Sequence, residues 1–312
     1  MYKIKQNPED FIVKEISNIE IKDKGDYLYF QLKKKNYNTL TAIEHIANVL
    51  HTPINRFGFA GNKDRNAITE QLVSVTGVNK ENLEKLNLKD IEIKILGYGD
   101  KYISLGDLKG NEFIITVKNL NEEEITNLNN KIRNKPILMP NYFGEQRFSH
   151  QNIDVGKALI KREFEKAAEL LRSDIIENDF IGAIRKLNKK ILKLYVHAYQ
   201  SYIFNETVKE YLKNNIKENE KIPIIGFGTE LDNYNEKIIY IIKNILMEEN
   251  LDLRDFITVK IPELSQEGSE RDLFVEIKDL ETLEKTEDTI KIKFFLQKGS
   301  YATEAIDFLF RE

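Results

Sequence analysis

An acidic residue lies between two basic residues in the stretch "FGFAGNKDRNAITEQ" (57–71), where Asp64 follows Lys63 and precedes Arg65. An aspartate that closes a turn is the commonest use of this residue type in a loop. Two features favour chemistry instead: the adjacent cations favour an ionised carboxylate, and the nearby glycines let a ligand approach the backbone closely. An ionised carboxylate in a loop suits a nucleophile or a base. The stretch lacks the GxxxxGK[ST] spacing of a phosphate-binding loop.

Aromatic and amide side chains are interleaved in a second stretch, "MPNYFGEQRFSHQN" (139–152). A buried aromatic turn is the ordinary explanation for such a segment. The same mixture suits a protein that stacks an unpaired base and hydrogen-bonds the edge of that base. The local pattern leaves both interpretations open. The residues concerned are Asn141, Tyr142, Phe143, Gln146, Arg147 and Phe148.

The two ends of the chain carry aromatic residues with similarly open roles. In "KQNPEDFIVKEI" (5–16), alternation predicts a strand with Phe11 in the core. In "FLQKGSYATEAIDFL" (295–309), the Gly-Ser pair predicts the start of a helix. This helix would dock on the rest of the fold, or Tyr301 at its start would offer an aromatic face to a site.

The composition excludes several kinds of chemistry. The 312 residues include no cysteine, which excludes disulfides, thiolate zinc sites and a cysteine nucleophile. The four histidines are far apart in the sequence and lack ligand spacing, so we expect no metal site. They are His45, His51, His150 and His197.

The charge of the chain does not indicate a nucleic-acid-binding protein, because the formal net charge is −4. Basic residues are nevertheless concentrated in two runs, "RKLNKKILK" (185–193), with five basic residues among nine, and "LKKKNY" (32–37). Runs of like charge are usually solvated surfaces. We therefore predict a solvated face for both runs, including Lys33, Lys34 and Lys35.

No part of the sequence indicates a membrane or export. There is no run of about 18 apolar residues, and the N-terminal "MYKIKQNPEDFIVKEI" is too polar for a secretory signal. The expected location is the cytoplasm.

Periodic patterns predict strands towards both ends of the chain and helices between them. Alternation in "DYLYFQLK" (26–33) begins a series of strand-like segments. Helical periodicity dominates from about 155 to 253, and strand-like segments return from about 272. This order predicts an α+β domain that is interrupted by an inserted, mostly helical domain.

Two helix starts are predicted from capping-box spacing. Thr41 with Glu44 has this spacing before one apolar stripe, and Asn121 with Glu124 has it before another.

Five segments, taken together and in order, resemble the TruD family of tRNA pseudouridine synthases. The segments are "NPEDFIVKEI", "FGFAGNKDRNAITEQ", "PNYFGEQRF", "AYQSYIFN" and "KGSYATEA". They span almost the whole chain, and the second and third are the most specific. The resemblance implies a pseudouridine-synthase catalytic domain with a central mixed β-sheet, interrupted by a mostly helical, TruD-specific insertion. It predicts a catalytic domain of residues 1–160 plus 272–312 and an inserted TRUD domain of residues 161–271.

The resemblance also implies roles for individual residues. Asp64 is the expected catalytic aspartate. Asn141 and Phe143 are expected to contact the uridine, with Phe143 in the stacking position. The two residues that flank Asp64 are expected to favour its charge and to meet phosphate groups. The further expected substrate-site residues are Phe11, Tyr301, Lys5, Lys63 and Arg65.

The implied reaction breaks the bond between N1 and C1′ of a flipped-out uridine and rejoins the base through C5. Asp64 would act as a nucleophile or as the base that removes a sugar proton, and the sequence leaves both open. Because the reaction is an isomerisation, no cofactor and no metal are expected. The expected partner is tRNA, at uridine 13 by analogy with the family, and neither a membrane nor an obligatory protein partner is indicated.

Two alternatives to this function stay open. The enzyme could act on another RNA, or the chain could be a non-catalytic RNA-binding or RNA-chaperone protein of the same fold. The intact segment "GNKDR" (61–65) argues against the second, because a protein without catalysis has little need of that carboxylate. The basic run 185–193 is a hypothetical contact for the rest of the RNA.

Overall fold

The structure is a computed structural model that describes residues 2–149, 151–214, 216 and 218–311. His150, one of the four histidines considered above, lies outside the described residues. The chain divides into two compact units, unit 1 with Met1–Ile137 and Glu276–Glu312, and unit 2 with Leu138–Val275. Each unit has a hydrophobic core of its own.

The strands and helices follow one another along the chain. The strands are β1 (Phe11–Ile16), β2 (Tyr27–Lys35), β3 (Phe57–Phe59), β4 (Ile68–Val75), β5 (Ile91–Gly99), β6 (Gly110–Val117), β7 (Leu138–Pro140), β8 (Lys221–Ile224), β9 (Ser269–Asp272), β10 (Phe274–Glu276), β11 (Lys278–Lys285) and β12 (Ile290–Gln297). The α-helices are α1 (Thr39–Val49), α2 (Lys80–Glu84), α3 (Glu122–Arg133), α4 (Asn152–Ile160), α5 (Phe164–Leu170), α6 (Phe180–Arg185), α7 (Lys189–Leu212), α8 (Glu236–Glu248) and α9 (Ala302–Phe310).

Unit 1 is built on an eight-stranded mixed sheet with the order β11-β12-β6-β1-β4-β2-β5, and β3 pairs with β4 beside this path. Strands β1 and β4 are parallel, whereas β2 and β4 are antiparallel. Ile68 at the start of β4 pairs with Ile12 in β1 and with Lys35 in β2. The start of β1, the end of β2 and the start of β4 therefore lie together at one end of the strands.

Strand β2 shows how the sequence pattern builds this sheet. Leu28, Phe30 and Leu32 are buried and pack with α1 on one face, as their alternation predicts. Tyr29 is also buried, in a second cluster. Its hydroxyl donates to the Lys101 carbonyl at 2.7 Å, which satisfies the polar end of a buried ring.

The ends of two helices test the capping predictions. Helix α1 begins earlier than the spacing of Thr41 and Glu44 predicts, because Asn38 is its N-cap and accepts from the Thr41 N–H at 2.8 Å. In α3 the prediction is confirmed: Asn121 and Glu124 form a reciprocal capping box. An asparagine that precedes a competing threonine is a strong N-cap, which accounts for the error in α1.

Unit 2 is mostly helical, with its core around α7, on which α4 and α8 pack. A polar cluster lies at the margin of this core. The Tyr199 hydroxyl donates to Glu249 Oε2 at 2.7 Å, and Lys157 Nζ lies 2.5 Å from the same oxygen. Burial acts to raise the pKa of Glu249, but the hydrogen bonds from Lys157 and Tyr199 outweigh it and lower that pKa. The unit also contains the two-stranded pair β8-β9, and β7 pairs with β10.

The predicted fold class is confirmed: a central mixed sheet is interrupted in the sequence by a mostly helical segment. The compact units divide at 137/138 and 275/276, which differs from the predicted domain limits at 160/161 and 271/272. Those limits describe a family-specific insertion and stay a prediction.

No helix in the described part of the chain has the length and apolar character that crossing a membrane requires.

Candidate active site

Asp64 lies in the loop between β3 and β4, beside the end of the sheet where β1 begins. Lys5 Nζ donates to Asp64 Oδ2 at 2.6 Å, across 59 positions of sequence. The side chains of Lys5 and Asp64 are 26% and 33% exposed. The carboxylate is therefore held by an ammonium group and remains open to a ligand. A carboxylate in this setting can act as a nucleophile or as a base.

Phe11 begins β1 and is buried beside this pair. Lys5 Nζ lies 4.1 Å from the centroid of the Phe11 ring, within the range of a cation–π contact. The backbone of Lys5 is left-handed, with φ 56°, which is uncommon for a residue other than glycine and is often found at functional sites. Unit 1 thus brings together Lys5, Phe11 and Asp64, three of the predicted site residues.

Lys63 has a different partner from its neighbour Asp64. Its Nζ lies 2.7 Å from Glu15 Oε2, and the side chains of Lys63 and Glu15 are 7% and 0% exposed. The other carboxylate oxygen of Glu15 accepts from the Leu72 N–H at 3.3 Å. The Lys63 ammonium is therefore part of a buried ion pair that anchors the loop to β1 and β4. The predicted contact of Lys63 with phosphate groups stays a prediction.

A chain of hydrogen bonds fixes the backbone that leads to Asp64. The Lys63 N–H donates to Thr39 Oγ1 at 2.8 Å, and the Thr39 hydroxyl donates to Gln71 Oε1 at 2.8 Å. The amide nitrogen of Gln71 donates to the Gly61 carbonyl at 3.1 Å. Thr39 and Gln71 are both buried. The start of α1 and strand β4 thereby hold the loop from within the fold.

The prediction of a solvated face for the run 32–37 is wrong at Lys34, whose side chain is buried with 1% exposure. Lys34 Nζ donates to the Tyr37, Asp64 and Lys63 carbonyl oxygens at 2.5, 3.1 and 3.4 Å. Burial lowers the pKa of Lys34 to about 8, against a smaller raising effect of the Asp64 carboxylate. The alternation of β2 could have indicated this burial, because Lys34 continues the inward phase of Phe30 and Leu32.

Two further predicted site residues, Arg65 and Tyr301, also belong to unit 1. Arg65 is exposed, and its Nε donates to the Asn36 carbonyl at 3.3 Å. Tyr301 is half-buried and is the N-cap residue of α9. The substrate contacts of Arg65 and Tyr301 stay predictions.

In unit 2, Asn141 is buried and its orientation is fixed from several sides. Its Oδ1 accepts from Arg271 Nη2 at 2.6 Å, and its backbone carbonyl accepts from Arg271 Nε at 2.7 Å. Its Nδ2 donates to the Asp272 carbonyl at 3.1 Å. Arg271 was not among the predicted site residues, and it lies 130 positions away from the asparagine that it orients.

The backbone of Phe143 is held by a second asparagine. The Phe143 N–H donates to Asn205 Oδ1, and Asn205 Nδ2 donates to the Phe143 carbonyl, both at 2.9 Å. The Arg271 guanidinium lies 4.4 Å from the centroid of the Phe143 ring, and the Phe204 ring meets that ring edge-on at 5.3 Å. Asn205 is the last residue of the segment "AYQSYIFN", which gives that segment a role in supporting the aromatic turn.

A cavity of about 320 Å³ adjoins Phe143 within unit 2. Arg147 and Arg271 line it together with carboxylate and hydroxyl groups, so the cavity is polar. His197 also lines it, and burial lowers the pKa of this imidazole, which hydrogen-bonds to Gln266 Oε1 at 2.7 Å. The cavity is in the size range of small-ligand sites.

The prediction of a solvated face is confirmed for the basic run 185–193 at the junction of α6 and α7, where all five basic residues are exposed. Arg185 Nη2 donates to the Lys260 carbonyl at 2.8 Å, and Lys189 Nζ lies 3.7 Å from Glu263 Oε1. Both side chains remain exposed despite these contacts, so the charges of the basic run are in contact with solvent.

Among the described residues, no cluster of histidine, aspartate and glutamate is arranged to hold a metal ion.

Comparison with known proteins gives a consistent result. The family model described as tRNA pseudouridine synthase D (TruD) matches residues 2–178, 171–224 and 218–307. A tRNA pseudouridine synthase D of Aquifex aeolicus is 29% identical, with 99% of this chain and 98% of the relative covered. A probable tRNA pseudouridine synthase D of Nanoarchaeum equitans is 31% identical, with 99% of each chain covered.

A solved structure supports the same relationship. A crystal structure from Methanosarcina mazei, described provisionally as tRNA pseudouridine synthase D, superposes with a TM-score of 0.77 at 27% identity. The match covers 99% of this chain and 93% of the other. The fold is therefore that of the pseudouridine synthases. This chain belongs to the TruD family.

Proposed function

We propose that this chain isomerises a uridine of tRNA to pseudouridine, with Asp64 as the catalytic residue. The observation that carries this proposal is the match to the TruD family over almost the whole chain. The pair of Lys5 and Asp64 supports the choice of residue, because it presents an accessible carboxylate on a loop that is anchored from within.

The reaction exchanges one glycosidic bond for another. The bond between N1 and C1′ breaks, a bond between C5 and C1′ forms, the proton on C5 is lost and N1 gains a proton. A carboxylate assists either by attacking C1′ as a nucleophile or by removing a proton from the sugar. The Asp64 side chain is 33% exposed, as either role requires, and Lys5 Nζ donates to its Oδ2 at 2.6 Å.

Asn141 and Phe143 are proposed to recognise the uridine. Uracil presents both donors and acceptors at its edge, which an asparagine amide can match. Stacking of a base on an aromatic ring contributes about 1–3 kcal/mol, and extruding the base costs about a few kcal/mol. The contacts of Asn141 with Arg271 and of Phe143 with Asn205 support this assignment, because they fix both groups in advance.

The wider tRNA contact is proposed for the basic run 185–193. Its exposed ammonium groups suit phosphate oxygens, which carry most of the affinity in complexes of this kind. Uridine 13 as the target, an inserted TRUD domain at 161–271 and a cytoplasmic location are further parts of this proposal, and each rests on the family resemblance or the sequence pattern.

The proposal is tested by tritium release. Purified protein is incubated with tRNA that carries tritium at uracil C5, and the wild type is compared with Asp64→Asn. Wild type should release tritium, and Asp64→Asn should lose release while still binding tRNA. Asp23→Asn is the matched control, because it removes an exposed loop carboxylate elsewhere in unit 1 and should leave release unchanged.

The alternatives predict different results. Release that persists in Asp64→Asn would refute the catalytic assignment. Tight tRNA binding by a wild type that releases no tritium from any tRNA or from total RNA would favour a non-catalytic RNA-binding protein. Release from total RNA but not from tRNA would favour another RNA target.

A further inference from the structure

We propose that Lys34 is a positioning residue of the active site: its buried ammonium group holds the backbone of Lys63 and Asp64 and so sets the direction of the Asp64 carboxylate. This inference deepens the proposed function and rests on it for the catalytic part. Lys34 belongs to β2, whereas the groups it binds belong to the loop before β4 and to the turn that follows β2.

The surroundings of Lys34 Nζ match a protonated ammonium group, which has three N–H donors. Three carbonyl oxygens, those of Tyr37, Lys63 and Asp64, surround Lys34 Nζ at 2.5 to 3.4 Å. A protonated lysine has three N–H donors and no acceptor, so each carbonyl receives one hydrogen. A neutral amine has two donors and a lone pair, and the lone pair would have to face one of the carbonyl oxygens. The arrangement therefore depends on the proton.

Packing alone does not account for a lysine at this position. Lys34 follows Phe30 and Leu32 on the inward phase of β2, where an apolar side chain would bury at no electrostatic cost. Taking an ammonium group out of water is expensive unless it is well bonded. Such a group is suited to orienting the loop that it binds, because an apolar residue cannot fix a carbonyl oxygen.

The charged groups around Lys34 are those of the site itself. Burial has the largest effect on the pKa of Lys34 and lowers it to about 8, whereas the Asp64 carboxylate raises this pKa and the Lys63 ammonium lowers it to smaller extents. Asp64 is paired with Lys5, and Lys63 is paired with Glu15. Because the carbonyls need the protonated form, the loop should lose this support as the pH rises through about 8.

The first experiment separates positioning from binding. Single-turnover rate constants at saturating tRNA and tRNA dissociation constants are measured for wild type, Lys34→Met and the control Lys33→Met. Lys33 is on the same strand, is partly exposed and pairs with Glu92 at 3.1 Å. We expect the single-turnover rate constant of Lys34→Met to be about tenfold to a hundredfold lower, because a small displacement of a reacting group has an effect of this size. Its tRNA affinity should be unchanged. Lys33→Met should keep the wild-type rate. A folded Lys34→Met with the wild-type rate would overturn the proposal.

The second experiment uses the pH dependence of the same rate constant. Wild type should lose rate above about pH 8. Lys34→Arg keeps a charge at every accessible pH, so its rate, although lowered by the larger group, should be independent of pH over this range. An equal loss of rate with pH in wild type and in Lys34→Arg would contradict the proposal, because the group that titrates would then be another one.

A third measurement needs neither RNA nor a variant. The Lys63 N–H donates to Thr39 and reports on the loop, so its amide chemical shift is followed by NMR in wild type from pH 7 to pH 9.5, relative to Val73 in β4. The Lys63 shift should change with a midpoint near pH 8, because deprotonation of Lys34 removes a donor from the loop carbonyls, whereas the Val73 shift should stay constant. A constant Lys63 shift would overturn the proposal. If wild type releases no tritium from RNA, the proposed function fails, and this measurement alone decides whether Lys34 holds the loop.

Discussion

Lys5 Nζ lies 2.6 Å from Asp64 Oδ2 and 4.1 Å from the centroid of the Phe11 ring. The ammonium group thus has an aromatic face on one side and the carboxylate on another. The aromatic contact restricts the lysine, and the lysine in turn restricts the carboxylate. A long, flexible side chain is thereby converted into a fixed partner for Asp64.

Replacement of this partner should impair turnover more than tRNA binding. Lys5→Met removes the charge but keeps most of the contact with Phe11, so Asp64 should lose its orientation. We expect the single-turnover rate constant for tritium release to fall about tenfold to a hundredfold. Lys5→Arg, which can still donate to the carboxylate, should recover part of the rate. Lys3→Met, an exposed neighbour, serves as the control and should behave as wild type. An unaffected rate in Lys5→Met would show that the pair is dispensable.

The buried pair of Glu15 and Lys63 should be energetically coupled. Glu15→Leu leaves the Lys63 ammonium buried without its partner, and breaking such a pair costs about 3–5 kcal/mol in the free energy of unfolding. The double variant Glu15→Leu with Lys63→Met removes both charges, so it should be less destabilised than the sum of the single variants. Urea unfolding of all four proteins measures the coupling.

The matched control for this cycle is an exposed pair on the same sheet. Lys33 Nζ lies 3.1 Å from Glu92 Oε2, with side chains 39% and 73% exposed. The same substitutions there should change the free energy of unfolding by less than about 1 kcal/mol, because solvent screens the interaction. Additive single and double variants at Glu15 and Lys63 would contradict the coupling.

Arg271 should be as important to uridine recognition as the asparagine that it orients. Its Nε and Nη2 atoms reach two oxygen atoms of Asn141, which a lysine ammonium cannot do with the same geometry. We therefore expect Arg271→Lys to lower kcat/KM for tRNA about tenfold or more, since each charge-assisted hydrogen bond contributes about 1.5–3 kcal/mol. Arg254→Lys, at an exposed position of unit 2, is the control. Wild-type kcat/KM in Arg271→Lys would show that Asn141 does not depend on this arginine.

Local patterns in the sequence predicted the parts of the fold that are themselves local. The alternation in β2 and the capping box at Asn121 are confirmed. The start of α1 was placed too late because two possible caps, Asn38 and Thr41, lie close together and the pattern does not choose between them. The capping box depends on hydrogen bonds between residues a few positions apart, and the alternation in β2 reflects the burial of every second side chain, so both features can be recognised in a short stretch of sequence.

The supports of the site were harder to predict because they depend on tertiary pairing. Asp64 was identified through the family resemblance, but its contact with Lys5 spans 59 positions and that of Asn141 with Arg271 spans 130. Glu15 and Lys34 did leave a local signal: each is a charged residue in the inward phase of a strand. A charge at such a position requires a buried partner. The prediction of a solvated face for Lys34 overlooked this requirement.

The exposed basic run should contribute to tRNA affinity through phosphate contacts. The triple variant Lys186→Glu, Lys190→Glu and Lys193→Glu should weaken binding. A plot of the logarithm of the tRNA association constant against the logarithm of the salt concentration should also become less steep. Its slope should fall by about 0.7–0.9 for each phosphate group that the variant no longer neutralises. A control with the same change in charge reverses the exposed residues Lys166, Lys209 and Lys213. Binding and salt dependence that match the control would show that this surface does not contact the RNA.

The pKa of Lys34 predicts opposite effects of alkaline pH on stability and on activity. The pKa is about 8 in the folded protein and 10.5 ordinarily, so below pH 8 both the folded and the unfolded chain carry the proton. Between pH 8 and 10.5, Lys34 is protonated in a larger fraction of unfolded chains than of folded chains. The free energy of unfolding therefore rises by at most about 1.4 kcal/mol for each pH unit. The difference in this free energy between wild type and Lys34→Met, measured by urea unfolding, should increase in favour of wild type over this interval, while the rate of wild type falls. A parallel loss of rate and stability would instead indicate general alkaline unfolding. The opposite signs arise because deprotonation relieves the burial of a charge but removes the donor that holds the Asp64 loop.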